Sequence, residues 1–581
     1  MNGASGGSAS GLSPEPSPPR RAVRWTGIAA ALCAAAILFS GLSRGIPRAY
    51  DLPDHLGYAY QALQAFERGD FYPRWLASLN DGFGEATFIF YPPVLHFTAA
   101  ALAALVGGDV LTGLYLTLLL FAIVGGLGVF RFVSRVAGPT AGVLACLIFA
   151  LTPYRVFEMY DSGLYSAFAA GCLAPWALLA LSRIAEEDEA TSRRERLRRI
   201  AVWAIVFAAI TLTNMPSAVL WAYLIGIWAV VELVMGRGWR PAARIAAGGA
   251  WGCLIAGVYL LPAVIEMRAV DVPLETVYRS NFLFQAGGSW MSPGLKSVFD
   301  RMGLFPSLAL ILSLGILALA RSWGRFSDAR GRVFLRLTST LGLAALFLAT
   351  PVSLWAWRFL PQLSRVDMPW RLLEPLGLAT ACAVGAAAWA LASGRGRAPF
   401  AKTLALAFFV CLAAVWIFFD VAVSDANGHM PPQAARAAIP TYARKEVFFL
   451  LKGARRAAEM AAEPPVVCDP SCRIQILDWS PTRREILVAS PQPTRIAVRT
   501  YYFPGWQASR RGEEPASLSV RAEPGTGRIQ FDLPPGENRV VARFGTTPPR
   551  VVGGTVSLLA AGAWLAAMAA TRRLRVISDL I

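Results

Sequence analysis

The chain has 581 residues, of which 55% are hydrophobic and 16% charged, and its mean hydropathy is +0.47. This composition excludes an ordinary soluble globular protein and predicts a polytopic membrane protein. The formal net charge of +18 does not indicate nucleic-acid binding. The basic residues fall in short clusters between apolar stretches, where they set membrane topology.

The N-terminal residues 1–19 are rich in Gly, Ser and Pro, and we predict a disordered cytoplasmic tail there. Arg20, Arg21 and Arg24 then precede an apolar stretch of about 18 residues, close to the length that crosses a bilayer. No small-residue cleavage site cleanly precedes the following polar stretch, so we expect a retained anchor rather than a cleaved signal peptide.

The stretch from Asp51 to Pro93 concentrates polar residues in an otherwise apolar chain; they include Asp51, Asp54, His55, Asp70 and Arg74. Two carboxylates three residues apart at a helix start share one face of the helix. One of Asp51 and Asp54 can then remove a proton while the other binds a cation or ammonium group. The alternative interpretation is that one of them caps the helix. Asp70, in a Gly-Asp turn, is interpreted as structural.

Apolar length and the positions of Arg and Lys predict about twelve transmembrane helices, with both termini in the cytoplasm. The transmembrane domain is predicted for 20–420, with a first outer loop at 44–109 and an eleventh span ending near Phe419. Within that loop, Pro93 to Val106 is too short to cross and predicts a juxtamembrane or re-entrant helix. Leu111 to Phe130 and Ala141 to Leu151, the latter extended by its flanks, are predicted as the next two spans. Residues 551–581 are predicted to form the last span and a cytoplasmic tail.

Residues 421–550 are predicted to form an extracytoplasmic domain. Short alternating runs between Arg484 and Phe544, separated by Pro and Gly, are typical of a small antiparallel β-sandwich. Helical spacing from Thr441 to Met460 predicts a helix before it. Cys468 and Cys472 flank Asp-Pro-Ser in this region and are predicted to form a disulfide. Half of a metal site is the alternative, but no second Cys/His pair lies nearby.

Asp161 follows the third predicted span and is expected on the same side of the membrane as Asp51 and Asp54, so the three acids can form one composite site. Alternatively, a lone acid at this position stabilises a helix start and has no further role.

Arg365 and Arg371 lie beside tryptophans in a late outer loop. A guanidinium group suits bidentate phosphate recognition, although an arginine here can also snorkel toward lipid headgroups. Arg155 and Arg74 are weaker candidates for phosphate binding. The Tyr91-Pro92-Pro93 sequence is interpreted as shaping the loop.

Three motifs follow the Asp-rich helix start: Gly-Asp-Phe-Tyr-Pro-Arg-Trp at 69–75, Asn-Asp-Gly-Phe-Gly at 80–84 and Phe-Tyr-Pro-Pro at 90–93. Together they resemble bacterial membrane proteins known as 6-pyruvoyl-tetrahydropterin-synthase-related. The sequence Thr-Tyr-Tyr-Phe-Pro-Gly-Trp at 500–506 is similar to the end of YfhO-like proteins. Both groups resemble the GT-C superfamily of glycosyltransferases. The pterin name implies no activity here, because the chain offers no histidine zinc site.

The resemblance implies an integral glycosyltransferase of the bacterial cytoplasmic membrane, which moves a sugar from a polyprenyl-phosphate donor to an envelope acceptor on the outer face. It implies that Asp54 or Asp51 activates the acceptor hydroxyl, that Asp161 is a second acid, and that Arg365 or Arg371 holds the donor phosphate. His55 is included among the candidate substrate-binding residues.

The spacing of Asp51 and Asp54 departs from the Asp-x-Asp pattern of metal-using members. We therefore assign no cofactor, and a divalent cation held by Asp51, Asp54 and Asp161 is the alternative. Two other functions stay open. A transporter or flippase of lipid-linked saccharides predicts polar residues along the spans. A non-catalytic scaffold predicts polysaccharide binding by the β-rich domain.

Overall fold

The computed structural model describes residues 20–187, 190–270, 279, 281–285, 293–322, 324–392, 427–445, 453–468, 472–512 and 515–571. The span predicted to end near Phe419 lies outside these residues, as does the 446–452 part of the predicted Thr441 to Met460 helix.

Most of the described chain is helical. Helices of ten or more residues are Arg20–Phe39, Leu52–Glu67, Val94–Leu105, Val110–Ala150, Tyr165–Ala185, Arg193–Thr213, Met215–Glu232, Trp239–Ile255, Gly257–Glu266, Pro293–Ser322, Ala329–Leu348, Leu373–Ala392, Pro432–Tyr442 and Pro548–Ala570. Shorter helices are Thr87–Phe90, Pro153–Phe157 and Leu354–Phe359.

Eight helices in the described part of the chain are long and apolar enough to cross a membrane, and nine if the bent pair Trp239–Ile255 and Gly257–Ala269 forms one span. The chain is therefore a multi-pass membrane protein. The count takes Val110–Ala150 as one helix and does not confirm the predicted number of about twelve. The helix Arg193–Thr213 is not among the eight, because its first two turns are almost entirely charged. Val94–Leu105 is an apolar helix of only 12 residues, shorter than a span, as predicted.

The Val110–Ala150 segment reverses direction at Gly138, which has φ 82° and ψ 168° and is followed by Pro139. A Cβ atom added to Gly142 would lie 2.8 Å from the carbonyl oxygen of Phe130. In one straight helix these two residues would be about 18 Å apart. The segment is therefore an antiparallel hairpin, in agreement with the two separate spans predicted from the sequence.

The strands are β1 Ile46–Pro47, β2 His429–Met430, β3 Val466–Val467, β4 Arg473–Ser480, β5 Arg483–Ser490, β6 Thr494–Tyr501, β7 Trp506–Arg511, β8 Ala516–Leu518, β9 Arg521–Ala522, β10 Arg528–Leu533 and β11 Gly536–Phe544. In the C-terminal region they form two antiparallel sheets, in the strand orders β4-β5-β11-β7-β8 and β3-β6-β10-β9, and a two-stranded sheet joins β1 to β2. The two larger sheets share one hydrophobic core, to which Val488 and Val540 contribute from one sheet and Ile496 and Phe531 from the other. The predicted β-rich region is thus confirmed.

Of the helix predicted for Thr441 to Met460, the described residues show the last two residues of the helix Pro432–Tyr442, which ends early in this stretch, and a 3-10 helix at Ala457–Met460. Backbone pairing explains the early end. The carbonyl groups of Arg444 and Lys445 accept hydrogen bonds from the backbone N–H groups of Asp81 and Asn80. The chain therefore leaves the helix to pair with the stretch 44–109, which was predicted to be the first outer loop.

The stretch 44–109 is held between the helices and the β-rich region. Phe83 packs against Tyr501 with ring centroids 5.1 Å apart, and the Tyr501 N–H donates to the Phe83 carbonyl. Trp75 meets Trp506 edge to face at 5.3 Å. Gly84 lies so close to the Trp75 ring that a Cβ atom there would be 2.5 Å from it. The motifs of the loop therefore build its interface with the β-rich region.

Candidate active site

Asp51 and Asp54 lie at the start of the helix Leu52–Glu67, which has Pro53 in its first turn. Proline is favoured there because its missing N–H needs no partner and its φ is already helical. Asp51 occupies the N-cap position, but its side chain makes no capping hydrogen bond. The capping interpretation therefore does not account for the Asp51 carboxylate, which stays available for another contact.

The turn that carries Asp161 packs directly against this helix start. The Asp161 carbonyl accepts a hydrogen bond from the Tyr50 N–H, and the Ser162 carbonyl accepts one from the Asp51 N–H, both at 2.9 Å. Gly163 follows with φ 70°, and a Cβ atom there would lie 3.1 Å from the Asp51 nitrogen. Both the positive φ and this close approach favour glycine.

Lys445 forms an ion pair with Asp54, with Nζ 2.9 Å from Oδ2. The other carboxylate oxygen, Oδ1, is buried without a hydrogen-bond partner. The backbone contacts of Lys445 and Arg444 with Asn80 and Asp81 bring the lysine to this position. Asn80 and Asp81 both have positive φ values, near 50°, a conformation that Asn and Asp tolerate better than most residues.

Arg371 supplies a second positive charge near the acid pair. Its Nε donates to Oδ1 of Asp367 at 3.2 Å, and its remaining guanidinium nitrogens make no hydrogen bond to the described residues. Arg371 lies close enough to Asp51 for its charge to stabilise the ionised carboxylate. An arginine with free N–H groups beside a carboxylate is suited to holding a phosphate group near a proton acceptor.

Burial, reinforced by the charge of Asp54, raises the pKa of Asp51 to about 6, while Arg371 and Lys445 oppose the rise. Burial also raises the pKa of Asp54, and the hydrogen bond and charge of Lys445 oppose it. One carboxyl is therefore paired with a cation, while the other has no paired cation and titrates near neutral pH. Such a difference separates a proton acceptor from a fixed anion.

His55 lies beneath this site, in the interior. Its Nδ1 is 2.9 Å from Nε2 of His96, the two rings stack, and its side chain is 2% exposed. Burial lowers the pKa of His55 to about 3, despite a hydrogen bond to the Gly163 backbone, so the ring is neutral. With both nitrogens occupied, His55 stays out of our proposed substrate site, contrary to the expectation from sequence. Its contacts hold the helix start against the Gly163 turn.

The other predicted residues are more widely spread. The Asp161 carboxylate accepts a hydrogen bond from the Asn427 side chain at 2.9 Å, and burial, partly offset by that bond, raises its pKa to about 6. Arg365 is exposed, and Arg74 lies over the Tyr72 ring at 4.5 Å. Arg155 is buried between two phenylalanine rings and 2.8 Å from Cys172 Sγ. Of the four predicted arginines, Arg371 is the one whose charge acts on Asp51.

A divalent-cation site formed by Asp51, Asp54 and Asp161 does not fit this arrangement. Lys445 already occupies one oxygen of Asp54, and Asn427 binds the Asp161 carboxylate. Within the described ranges, no group of three or more His, Cys, Asp or Glu side chains is placed to hold a metal ion. Cys468 and Cys472 are joined as a disulfide in the β-rich region.

Sequence reasoning missed two neighbours of the acid pair. Lys445 lies 391 residues from Asp54 in the chain, and no local pattern signals the contact. Tyr91 is buried, with its hydroxyl 3.3 Å from Ser166 Oγ, and its charge state is coupled to Asp51 and Arg371. Burial raises the pKa of Tyr91 to about 12, so the hydroxyl keeps its proton. The Phe-Tyr-Pro-Pro motif marked this tyrosine but did not reveal its neighbours.

No protein-family model and no curated protein matches the chain. Some solved structures are partly similar. Arabinofuranosyltransferase AftD from Mycobacteria is 20% identical at a TM-score of 0.40, over 70% of this chain and 27% of its own. ArnT from Cupriavidus metallidurans bound to undecaprenyl phosphate is 15% identical at a TM-score of 0.42, over 73% of this chain and 74% of its own. The oligosaccharyltransferase of Archaeoglobus fulgidus is 12% identical at a TM-score of 0.41, over 70% of this chain and 56% of its own.

The chain thus spans about a quarter of the length of AftD. These structures bear names of glycosyltransferases, but TM-scores near 0.4 carry no argument about the activity of this chain. Nothing in these comparisons supports the narrower resemblance to pterin-synthase-related or YfhO-like proteins.

Proposed function

We propose that the chain is a membrane glycosyltransferase of the GT-C type, which transfers a sugar from a polyprenyl-phosphate donor to an acceptor hydroxyl of the cell envelope. The observation that carries the proposal is the arrangement of Asp51, Asp54 and Arg371 near the ends of apolar helices. It combines a proton acceptor and a phosphate-binding group beside the region where a lipid-linked donor lies.

Asp51 is the proposed proton acceptor. Its carboxylate makes no side-chain hydrogen bond to the described residues, and its raised pKa suits a base that works near neutral pH. In the transfer, the acceptor hydroxyl gives its proton to Asp51 and its oxygen bonds to the anomeric carbon. At the same time the bond from that carbon to the donor phosphate oxygen breaks, and polyprenyl phosphate leaves as an anion.

Arg371 is the proposed partner of the departing phosphate. Asp367 binds the Nε edge of its guanidinium, and the terminal N–H groups make no hydrogen bond to the described residues, so we propose that they donate to phosphate oxygens. Asp54, paired with Lys445, is the proposed fixed anion, and Asp161 is proposed to support Asp51 through the neighbouring backbone hydrogen bonds.

The proposed location is the bacterial cytoplasmic membrane, with the acidic site on the outer face and both termini in the cytoplasm. The charge distribution along the sequence supports this orientation. We also propose that the two larger sheets form a sandwich outside the membrane, which their common core supports.

Arginine variants test the proposed function. Purified protein in nanodiscs is supplied with a panel of polyprenyl-phosphate hexoses and pentoses and with envelope extract as acceptor, and sugar transfer is measured. Arg371→Gln is expected to lower turnover by about 100-fold, because a donor to the developing phosphate charge is lost. Arg365→Gln removes the same charge from an exposed position and is the matched control. Equal turnover in the two variants contradicts the role of Arg371, and absence of transfer from every donor contradicts the proposed function.

A further inference from the structure

The outer face of the five-stranded sheet carries a row of polar residues. On the adjacent strands β7 and β11, Gln507 lies opposite Arg543 and Arg511 lies opposite Arg539. Alternating residues on these strands, such as Ala508 and Val540, point into the hydrophobic core. The polar set therefore faces away from the core.

A groove of about 420 Å³ lies on this face. Its polar lining consists of Gln507, Ser509, Arg511, Ser517 and Arg543. Ser509 and Ser517 are directly opposite each other on β7 and β8. The groove thus offers an amide, two hydroxyls and two guanidinium groups along the strands, a set of side chains suited to binding a polyol.

Two positive charges line the groove. Neither Arg511 nor Arg543 makes a hydrogen bond or ion pair with the described residues. Among the described residues, Glu485 lies on this face opposite Val541 and is bound by Arg483 and Arg539. Arg511 lies opposite Arg539, so an anionic ligand at Arg511 would also reduce the repulsion between these two like charges.

The spacing of the two free arginines favours an extended ligand. Arg543 and Arg511 are four residues apart in register, about 13 Å along the strands, with the amide and hydroxyl groups between them. A ligand with two anionic groups fits this separation along the strands. Arg543 precedes the last span at Pro548 by five residues, whereas Arg511 lies at the other end of the groove. A lipid headgroup in the membrane therefore meets one end only.

We propose that this groove binds an acidic polysaccharide, a linear glycan whose carboxylate or phosphate groups pair with Arg511 and Arg543 while its hydroxyls contact Gln507, Ser509 and Ser517. The inference goes beyond the proposed sugar transfer. It does not depend on the transfer, because it concerns a surface on the β-rich region rather than the acid pair.

Binding of charged oligosaccharides to the full chain in uncharged nanodiscs tests this site. Oligogalacturonates of increasing length are compared with neutral malto-oligosaccharides of the same lengths. We expect binding of the charged series alone, stronger in oligomers long enough to span both arginines, and weakened by salt. Arg511→Gln and Arg543→Gln are each expected to weaken binding by about tenfold. Arg456→Gln, which removes an exposed charge of the same region outside the groove, is expected to leave binding unchanged.

Three results would overturn the proposal. The first is that no oligogalacturonate binds, and the second is that Arg456→Gln weakens binding as much as the groove variants. The third is that the two arginines are needed only for binding to vesicles of equimolar phosphatidylcholine and phosphatidylglycerol, which would assign the groove to lipid. Thermal unfolding is also measured for each variant. An unchanged unfolding temperature shows that any loss of binding is not caused by misfolding. The assay needs no sugar transfer, so failure of the proposed function leaves its result interpretable.

Discussion

The ammonium group of Lys445 lies 2.9 Å from the carboxylate of Asp54, across 391 residues of sequence. This ion pair links the start of the helix Leu52–Glu67 to the segment that leads into the β-rich region. It also gives the two neighbouring acids different surroundings, since Asp54 has a cation at hydrogen-bond distance and Asp51 does not. The division of roles between the acids depends on this contact.

Removal of Lys445 is therefore expected to shift the pH dependence of transfer. Lys445 lowers the pKa of both Asp51 and Asp54 against the effect of burial. In Lys445→Met both carboxyls hold their protons to higher pH, so transfer at pH 7 falls by roughly tenfold and recovers partly at alkaline pH. The measurement is the pH profile of sugar transfer, and Lys445→Arg is expected to restore it.

Arg444→Met is the matched control for this variant. Arg444 is the adjacent cation and pairs with Asp81, but it is 63% exposed. An exposed ion pair contributes little, so the pH profile is expected to stay within about twofold of wild type. A profile that shifts equally in the two variants would show that general loop disruption, rather than the Asp54 contact, is responsible.

The pKa of Asp51 predicts an acidic limb of the transfer rate. A base with a pKa of about 6 is ionised above that pH, so the rate should rise about tenfold per unit below it and level off above it. For stability the sign is opposite. The pKa of this carboxyl is about 6 in the native protein and 3.8 in the unfolded chain, so the native state binds the proton more tightly. The resulting contribution to the free energy of unfolding is fully present below pH 3.8 and is lost as the pH rises through about 6. A pH profile without an acidic limb near pH 6 contradicts the assignment.

The buried pair of His55 and His96 predicts a coupled loss of stability. His96→Phe leaves Nδ1 of His55 buried without its partner, which costs about 1–3 kcal/mol. The double variant His55→Phe/His96→Phe should lose less unfolding free energy than the sum of the two single variants, because it leaves no histidine nitrogen of this pair buried without its partner. Reversible unfolding in detergent measures the three free energies. Strict additivity contradicts the contact.

Glu266 and Arg550 predict a larger effect where the last span meets the bent helix pair. Their side chains are 2.9 Å apart, and both are almost fully buried. Glu266→Ala leaves the guanidinium group without its carboxylate and should cost about 3–5 kcal/mol of unfolding free energy. Asp532→Ala, which breaks exposed pairs with Arg495 and Arg521, should cost no more than about 1 kcal/mol. Similar losses in the two variants contradict the importance of burial.

The sequence predicted the parts of the fold that depend on local pattern. Apolar length located the hairpin around Gly138, and period-two alternation located strands such as β5 and β11. The total number of spans was harder to predict, because Arg193–Thr213 combines charged and apolar turns in one helix. The end of the helix Pro432–Tyr442 was also hard to predict, because it depends on tertiary backbone pairing at Arg444 and Lys445.

The candidate site, like the fold, could be predicted only where it depends on local sequence pattern. Local density of acids singled out Asp51 and Asp54, but the sequence did not distinguish Arg365 from Arg371, which lie in one loop with similar neighbours. Only the fold separates them, since Arg365 is exposed whereas the charge of Arg371 acts on Asp51. The contacts of His55 with His96 and of Asp54 with Lys445 join distant segments, so no pattern along the chain reveals them.

The most direct test of the central claim is sugar transfer from a polyprenyl-phosphate donor by Asp51→Asn and Asp70→Asn, each measured beside wild type in nanodiscs. Asp70 is the matched control, because its exposed carboxylate only accepts a hydrogen bond from the Tyr72 N–H within a turn. The proposal predicts a loss of at least about 100-fold in Asp51→Asn and wild-type turnover in Asp70→Asn. Wild-type turnover in Asp51→Asn would contradict the account.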